Sequence, residues 1–495
     1  MQSLNANVTN QNVNLNNRSE CLFFVDGPGG SGKTYLYNYL IKVCKNKNRK
    51  ISCSAWVGVA ATLLENGGTC HSVFKLPVPC DNGSKCNISP ASDYGKMIKE
   101  IDMFIVDEIS MMNRYAFEAI DAMLRDVCDT EIPFGGKVMV FGGDFRQTLP
   151  IVKHGSVDDI INQCVVSSNL WLKCKRLGLS KNMRAHPGET GFAEFLLSVG
   201  SNSIEKCQAE PFSECIPLPQ RCIINPTENE QNGLDTLINK IFPPGCSQEL
   251  VQTSVILTPT NKSSLTINDK ILDQMPGELV QCFSADEAIL EDNGDPNLYP
   301  IDFLNSITTG GLPPHILNLK LGCIIMLLKN LDIKSGLTNG TRLVIKKIYS
   351  NLIEAEILCG AYAGNIHFIP KVFFQPSDAD LPFNLKRYQF PFRLAYSMTI
   401  NKSQGQTFSS VGIFLDRSCF SHGQLYVALS RGRSFESLSI LAYPDHNQGH
   451  FENAFFTKNV VHQRVLDLCK SPNPVKLISL PEPEMNSVIE QLESQ

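Results

Sequence analysis

Long apolar runs are missing from this chain. None approaches the roughly 18 residues that a membrane-crossing helix needs. The longest candidate, Cys323-Ile-Ile-Met-Leu-Leu328, is flanked by Lys320 and Lys329, and no membrane association is expected. An excess of positive charge is missing too. The 44 Lys and Arg stand against 49 Asp and Glu, a formal net charge of −5. That excludes a uniformly basic coat for nucleic acid but leaves room for a local basic groove. C-x-x-C pairs are absent although 18 cysteines are present, and the closer pairs, Cys80/Cys86 and Cys215/Cys222, lack metal-ligand spacing. Neither a zinc site nor a disulfide framework is expected, and the thiols read as the reduced ones of a soluble intracellular protein. The opening MQSLNANVTNQNVNLNN has neither the apolar core of a signal peptide nor the arginines of a transit peptide. The nucleus is the expected compartment, with mitochondrion and cytoplasm left open.

What is there is enough for two to four compact units in 495 residues. Residues 1–20 are Asn-rich and aperiodic, and read as a flexible leader. Continuous apolar runs of the buried parallel-strand type then recur: Cys21-Leu-Phe-Phe-Val25, Met103-Phe-Ile-Val106, Lys137-Val-Met-Val-Phe141, Val255-Ile-Leu257 and Val411-Gly-Ile-Phe-Leu415. Segments between them, such as 35–44 and 115–126, are long enough for crossover helices. The alternation predicts doubly wound parallel α/β sheets, one set of strands before about 185 and one after about 250. Residues 201–250 lack a strand period and read as a partly helical insertion. The runs 341–348, 352–358 and 365–374 are β-rich, and Asn339-Gly340 is a hairpin signal, so 315–375 is expected to be a small inserted β-barrel. A helix is expected over 460–468, then a flexible tail.

The strongest local signal is Gly27-Pro28-Gly29-Gly30-Ser31-Gly32-Lys33-Thr34, placed between an apolar strand and a helical stretch. Glycines let backbone N–H groups close around phosphate oxygens at a helix N-terminus. Lys33 would meet the β- and γ-phosphates and Thr34 would hold Mg²⁺. Asp107-Glu108, ending the next buried run, suits a Mg²⁺ shell and a water-activating carboxylate, although an acidic first helical turn reads the same way. Gln147, in Gly142-Gly-Asp144-Phe-Arg146-Gln147, could sense the γ-phosphate or its water, and Asp144 could instead cap the turn. Asp102 and Asp121 read as solvated surface carboxylates. Arg184 and Arg431 each follow an apolar segment; a guanidinium binds phosphate oxygens bidentately, but a lone arginine after a strand, as at Arg184, is more often a surface ion pair.

Taken in order, these motifs resemble superfamily 1 DNA helicases of the Pif-one type. The set is GPGGSGKT, SAWVGVAATLLENGGTCHSVFKLP at 54–77, DEISM, GGDFRQTLPIV, LSKNMR, ILTPTN at 256–261, TINKSQGQT and HGQLYVALSRGR. The resemblance covers about 21–445. The stretch 310–342 and Asn401, where other members usually show His, point to the branch found in Helitron transposons. It implies two RecA-like P-loop domains binding Mg·ATP at their cleft: 21–250 for the first, 251–314 with 376–450 for the second, 315–375 for the inserted barrel, and 451–495 for the C-terminal helix and tail. It implies that Lys33, Asp107, Glu108, Gln147, Arg184 and Arg431 are catalytic, that Gly405 touches nucleotide, and that Thr34 and Asp107 hold the metal. Thr69, His71 and Ser72 would contact single-stranded DNA, with Thr399, Lys402 and Ser403 as partner contacts; His71 alone would read as a buried or capping histidine.

The family's adenine-reading glutamine motif has no counterpart at the right distance upstream, where 15–20 offers only LNNRSE. No two-histidine nuclease segment is present, so a complete Helitron transposase is not expected. The expected activity is an ATP-dependent helicase acting on single-stranded and forked duplex DNA, 5′-to-3′ by resemblance alone, with a monomer as the default. Repair, recombination and telomere roles belong to relatives. The rivals are a translocase that does not separate strands and a catalytically decayed DNA-binding remnant of a transposon helicase.

Overall fold

The computed structural model describes residues 21–179, 181–184, 190–208, 210–224, 230–289, 299–308, 311–376, 381–470 and 475–476. The expected leader, the 15–20 stretch, Ser180 of the LSKNMR motif and the tail beyond 476 lie outside them. Among the described residues, no helix is long and apolar enough to cross a membrane. The chain forms two compact units, Met1–Asn202 with Val461–Gln495, and Ser203–Val460.

In the first unit the apolar runs become β1 (Leu22–Asp26), β2 (Ile51–Ala55), β3 (Gly68–Thr69), β4 (Met103–Asp107), β5 (Val138–Gly143) and β6 (Lys175–Gly178). All pair in parallel, in the order β6-β1-β5-β4-β2-β3, and residues 475–476 add a parallel strand beyond β6. Successive side chains leave opposite faces of a strand, so Phe24 enters one core with Phe104, Phe141 and Trp171, and Phe23 the other with Leu40 and Ile105. Helix α1 (Lys33–Asn46) covers the Phe23 face through Tyr37, Leu40, Ile41 and Cys44, whose i, i+3, i+4, i+7 spacing makes one helical stripe. Helix α2 (Arg114–Cys128) covers the other through Phe117, Ile120 and Leu124. Asn113 caps α2, accepting the Ala116 N–H at 2.8 Å. Asp121, expected in solvent, is 2% exposed. It accepts the Phe134 N–H at 2.6 Å and pairs with Arg125 at 2.8 Å, fastening the turn before β5.

The second unit has its own parallel sheet, in the order 397–399, 254–258, 410–415, 438–442. The expected first boundary near 250 moves to 202. Strand Cys215–Pro217 pairs with Ala454–Lys458, and Leu237 and Ile241 of helix Glu230–Ile241 pack where a Cβ on Gly412 would lie. The described residues of 203–250 therefore pack within the second unit and are not an insertion in the first. The antiparallel region is also wider than the expected 315–375. It runs from 280 to 394 as a five-stranded sheet (366–370, 352–357, 342–348, 324–327, 392–394), a three-stranded sheet (285–289, 384–389, 372–374) and a ribbon (280–283, 316–319), with no closed barrel among the described strands. The expected strand 365–374 is two strands in different sheets. Asn339-Gly340 does turn the chain, with Gly340 at φ +95° and Thr341 N–H on the Thr338 carbonyl at 3.0 Å, but it ends a longer connection. The C-terminal helix is Gln463–Cys469, and it belongs to the first unit: Val465 joins the Phe24 core and Trp171 Nε1 donates to the Leu468 carbonyl at 3.2 Å.

Arg387 organises much of the antiparallel region. Its guanidinium pairs with Asp286 at 2.6 Å, both side chains fully buried, and donates to the carbonyls of Leu304, Ile307 and Pro313. Removing one partner of a buried pair strands the other charge, at a cost of about 3–5 kcal/mol. Arg387→Met is expected to lower stability by that amount in urea unfolding followed by circular dichroism, and adding Asp286→Leu to recover much of it.

Candidate active site

The glycine loop leaves β1 at its C-terminal end. Gly30 (φ +82°) and Gly32 (φ +88°) adopt the left-handed region, which only glycine enters freely. Gly32 is also the N-cap of α1 and supplies no side-chain acceptor, and no acidic residue sits in the first turn. The first-turn N–H groups and the positive end of the helix thus face the loop, an arrangement suited to phosphate. Gly27 N–H is tied to the Gly143 carbonyl at 3.3 Å, and the buried Lys33 ammonium donates to the Gly27 carbonyl. Thr34 follows on the first turn of α1.

Asp107 ends β4, two strands from the loop, and is buried. Burial holds its carboxyl above the usual range, with the Lys33 charge opposing. Tyr37 Oη, from the buried stripe of α1, donates to Asp107 Oδ1 at 3.2 Å, and burial beside this carboxylate pushes the phenol well up. Glu108 is buried and sits at φ +57°, ψ +38°, a conformation costing a non-glycine residue roughly 1–2 kcal/mol that turns the chain sharply at the strand end. Space for the Tyr37–Asp107 pair comes from β5. A Cβ on Gly142 would lie 1.6 Å from Tyr37 Oη and 2.8 Å from Asp107 Oδ1.

Beyond β5, Asp144 is fully buried. Its Oδ2 accepts the Gln147 amide at 3.3 Å, and its Oδ1 accepts Arg146 Nη1 at 2.7 Å. Arg146 also reaches Asp26, the last residue of β1, at 3.0 and 2.9 Å. Asp144 therefore does cap the turn, and in doing so it orients Gln147. Burial raises the Asp26 carboxyl, with Arg146 pulling it back. Arg184 follows β6 and lies over the loop: a Cβ on Gly30 would meet Arg184 Cβ at 2.5 Å and its Nε at 3.3 Å, while Met183 N–H donates to the Gly30 carbonyl at 2.7 Å.

Thr69, at the end of β3, caps the short helix Cys70–Phe74 by accepting the Ser72 N–H at 3.3 Å. His71 is half-buried, its imidazole pKa lowered by that burial, and its ring lies 4.6 Å from that of Trp56. Trp56 N–H donates to the Asp107 carbonyl at 3.0 Å, joining this loop to the acidic strand end. In the second unit, Thr399, Lys402, Ser403 and Gly405 (φ +76°) share one loop. Burial, then Arg393, lowers Lys402 to about 8. Arg431 is 1% exposed, and its guanidinium donates to the carbonyls of Val427 (2.9 Å), Ser403 (3.3 Å) and Gln406 (2.9 Å) and to Ser430 Oγ (2.8 Å). In this structure Arg431 holds that loop together. Among the described residues, no three His, Cys, Asp or Glu cluster as a metal site.

Residues 4–210 match the model of the PIF1-like helicase family, and residues 302–348 match that of the DNA helicase Pif1 2B domain. The chain belongs to the PIF1-like helicase family. It is 28% identical over 471 residues to the ATP-dependent DNA helicase PIF1 of Danio rerio, covering 94% of this chain and 64% of that protein. It is 27% identical over 479 residues to the ATP-dependent DNA helicase Pif1 of Campylobacter jejuni, covering 91% and 94%. The chain thus spans less than two thirds of the length of the fish relative. The fold is that of the Bacteroides Pif1 helicase solved in complex with ADP-AlF3 and ssDNA: TM-score 0.63, 22% identity, 97% of this chain and 96% of that one.

Within this PIF1-like helicase, the first unit brings together Lys33, Thr34, Asp107, Glu108, Gln147 and Arg184 along the C-terminal edge of one sheet. Gly405, Arg431, Thr399, Lys402 and Ser403 assemble in the second. Sequence reasoning missed Asp26, Tyr37, Gly142 and the Arg146 bridge. Asp26 and Arg146 were open to detection, because carboxylates ending neighbouring strands require a cation. Tyr37 gave no signal beyond its place in an apolar stripe. Gly142→Ala is expected to cost about 1–3 kcal/mol by overpacking. Thermal melting of Gly142→Ala beside Tyr37→Phe/Gly142→Ala checks this, since removing the phenol oxygen should restore part of the loss.

Proposed function

We propose that this protein is an ATP-dependent DNA helicase that couples ATP hydrolysis to movement along single-stranded DNA and to duplex unwinding. The observation that carries this reading is the convergence of an uncapped helix N-terminus, a buried lysine, the Asp107–Glu108 strand end and an oriented glutamine on one sheet edge. Lys33 and the loop amides bind the β- and γ-phosphates. Thr34 and Asp107 hold Mg²⁺, which when bound neutralises phosphate charge. Glu108 takes the proton of the attacking water as the bond from the γ-phosphorus to the ADP oxygen breaks. Gln147, fixed through Asp144, positions that water, and Arg184 offsets charge on the transferring group. Arg431 and Gly405 are assigned to the same turnover from the second unit, Arg431 through its hold on the 403–406 loop. Thr69, His71 and Ser72, with Thr399, Lys402 and Ser403, contact the DNA strand.

The single-stranded and forked substrates, the 5′-to-3′ polarity, a place in DNA repair, recombination or transposon replication, and a nuclear location belong to this proposal. The substrates are supported by solved Pif1 structures, one addressing DNA unwinding at forked dsDNA and one bound to ssDNA; the polarity, the pathway and the compartment rest on the sequence and the family resemblance.

Steady-state ATP hydrolysis with and without single-stranded oligonucleotide tests it. Lys33→Ala and Glu108→Gln should each lose DNA-stimulated turnover by at least about a hundredfold while keeping much of their DNA binding; unchanged turnover would sink the assignment. A forked-duplex assay then separates unwinding from translocation alone. Lys402 gives a pH test. A lysine titrating near 8 is charged below that pH and neutral above it, so phosphate binding should weaken as pH rises through about 8. Lys402→Arg should remove that step in a fluorescence-anisotropy titration.

A further inference from the structure

The three-stranded sheet of the second unit has an outer face that no residue named above for DNA or nucleotide occupies. Alternation along Asn384–Gln389 sends Leu385, Arg387 and Gln389 inward and leaves Lys386 and Tyr388 outward. The register sets Phe373 opposite Tyr388, with ring centroids 4.7 Å apart and planes at 40°. Lys386 Nζ stands 4.6 Å from the Phe373 ring centre, and Phe373 is 54% exposed. At the sheet's edge, Lys329 Nζ donates to the Phe373 carbonyl at 3.3 Å and Lys371 Nζ to the Phe283 carbonyl at 2.9 Å. Phe283 is 51% exposed, with the His315 ring 5.9 Å away, and its cross-strand neighbour Ile316 is 41% exposed. Among the described residues the register places one acid on this face, Glu287, and Lys386 holds it at 3.3 Å.

Lys386 thus lies against an exposed ring, and Lys329 and Lys371 are tied to the backbone of the two exposed phenylalanines while their ammonium groups lie over the buried Phe374 and Phe390 rings, in a chain whose net charge is −5. Open ring faces suit flat, apolar groups, and the bordering cations suit anions at a fixed distance from them. A single nucleic-acid strand carries both, bases that stack on any aromatic face and a phosphate for each base. An acidic protein surface would satisfy the lysines and leave the rings in water. We propose that this face, centred on Phe373, Tyr388 and Phe283 with Lys329, Lys371 and Lys386, is a further binding site for single-stranded DNA that works by base stacking without sequence preference. The choice of DNA rests on the proposed helicase function; the stacking chemistry does not.

The test uses the full chain and a fluorescein-labelled oligothymidine in anisotropy titrations across a range of NaCl. ATP turnover with and without the same oligonucleotide is measured beside them. Phe283→Ala/Phe373→Ala should bind about tenfold more weakly or worse, as the loss of stacked bases predicts, with unstimulated turnover unchanged. Lys329→Gln/Lys371→Gln should flatten the slope of log affinity against log salt by roughly 1.4, two phosphate contacts at about 0.7 each. Both variants binding within twofold of wild type overturn the site, and DNA-stimulated wild-type turnover in that case leaves the motor standing. Weakened binding by the aromatic variant, with no stimulated turnover in wild type, supports the site and removes the motor. Should the variants fail to fold, photocrosslinking of a 5-iododeoxyuridine oligonucleotide to the wild-type chain decides. Crosslinks at Phe283, Phe373 or Tyr388 support the site, and crosslinks confined elsewhere overturn it.

Discussion

The first unit is governed by a charge problem. Parallel strands buried on both faces end together at one edge, and this sequence ends three of them, or the turns just beyond, in carboxylates: Asp26, Asp107 with Glu108, and Asp144. Burying a carboxylate costs several kcal/mol unless charge or hydrogen bonds compensate it. Arg146 answers two of them at once, and Lys33 and the Tyr37 hydroxyl answer Asp107. The positions of the loop, the glutamine and the acidic pair follow from that compensation. Gly142 has no side chain because the hydroxyl that serves Asp107 fills the space. Gln147 is fixed because Asp144 must have partners. The site is thus held by the same electrostatics that its chemistry would use.

Much of this was legible in the residues. A glycine loop between an apolar strand and a helix reports local geometry, so Lys33 and Thr34 were identifiable, as were Asp107 and Glu108 at the end of a run buried on both faces. The ordered motifs then identified the fold and the family. What failed to read out was long-range. Asp121 looked like any helix-surface acid, because its partner, the Phe134 N–H, comes from a turn whose approach no periodicity announces. The residues at 203–250 looked like an insertion because Cys215–Pro217 finds its partner strand more than two hundred residues away. The wider antiparallel region escaped because its strands are short and separated by long connections. Arg431 was identified as a cation but not as the residue that holds the carbonyls of its own loop.

The second unit solves a different problem with the same residue type. Its antiparallel sheets are joined by irregular chain, and such chain carries carbonyls that need donors. Arg387 supplies them to Leu304, Ile307 and Pro313, and Gln389, two residues along the same strand, serves Cys282 and His315. Inward-facing polar side chains thus order the connections, while the outward Lys386 and Tyr388 make their contacts on the sheet's own surface.

The return of the chain to the first unit has a consequence for how the molecule is made. Trp171 sits in the first core and its indole donates to the Leu468 carbonyl, Val465 fills the same core, and residues 475–476 pair with β6. That core therefore closes only after some three hundred further residues have left the ribosome. The second unit, contiguous from 203 to 460, carries no such debt and can complete itself first. During synthesis the nucleotide-loop sheet waits with an open edge and an uncovered Trp171 until helix Gln463–Cys469 emerges to complete that core.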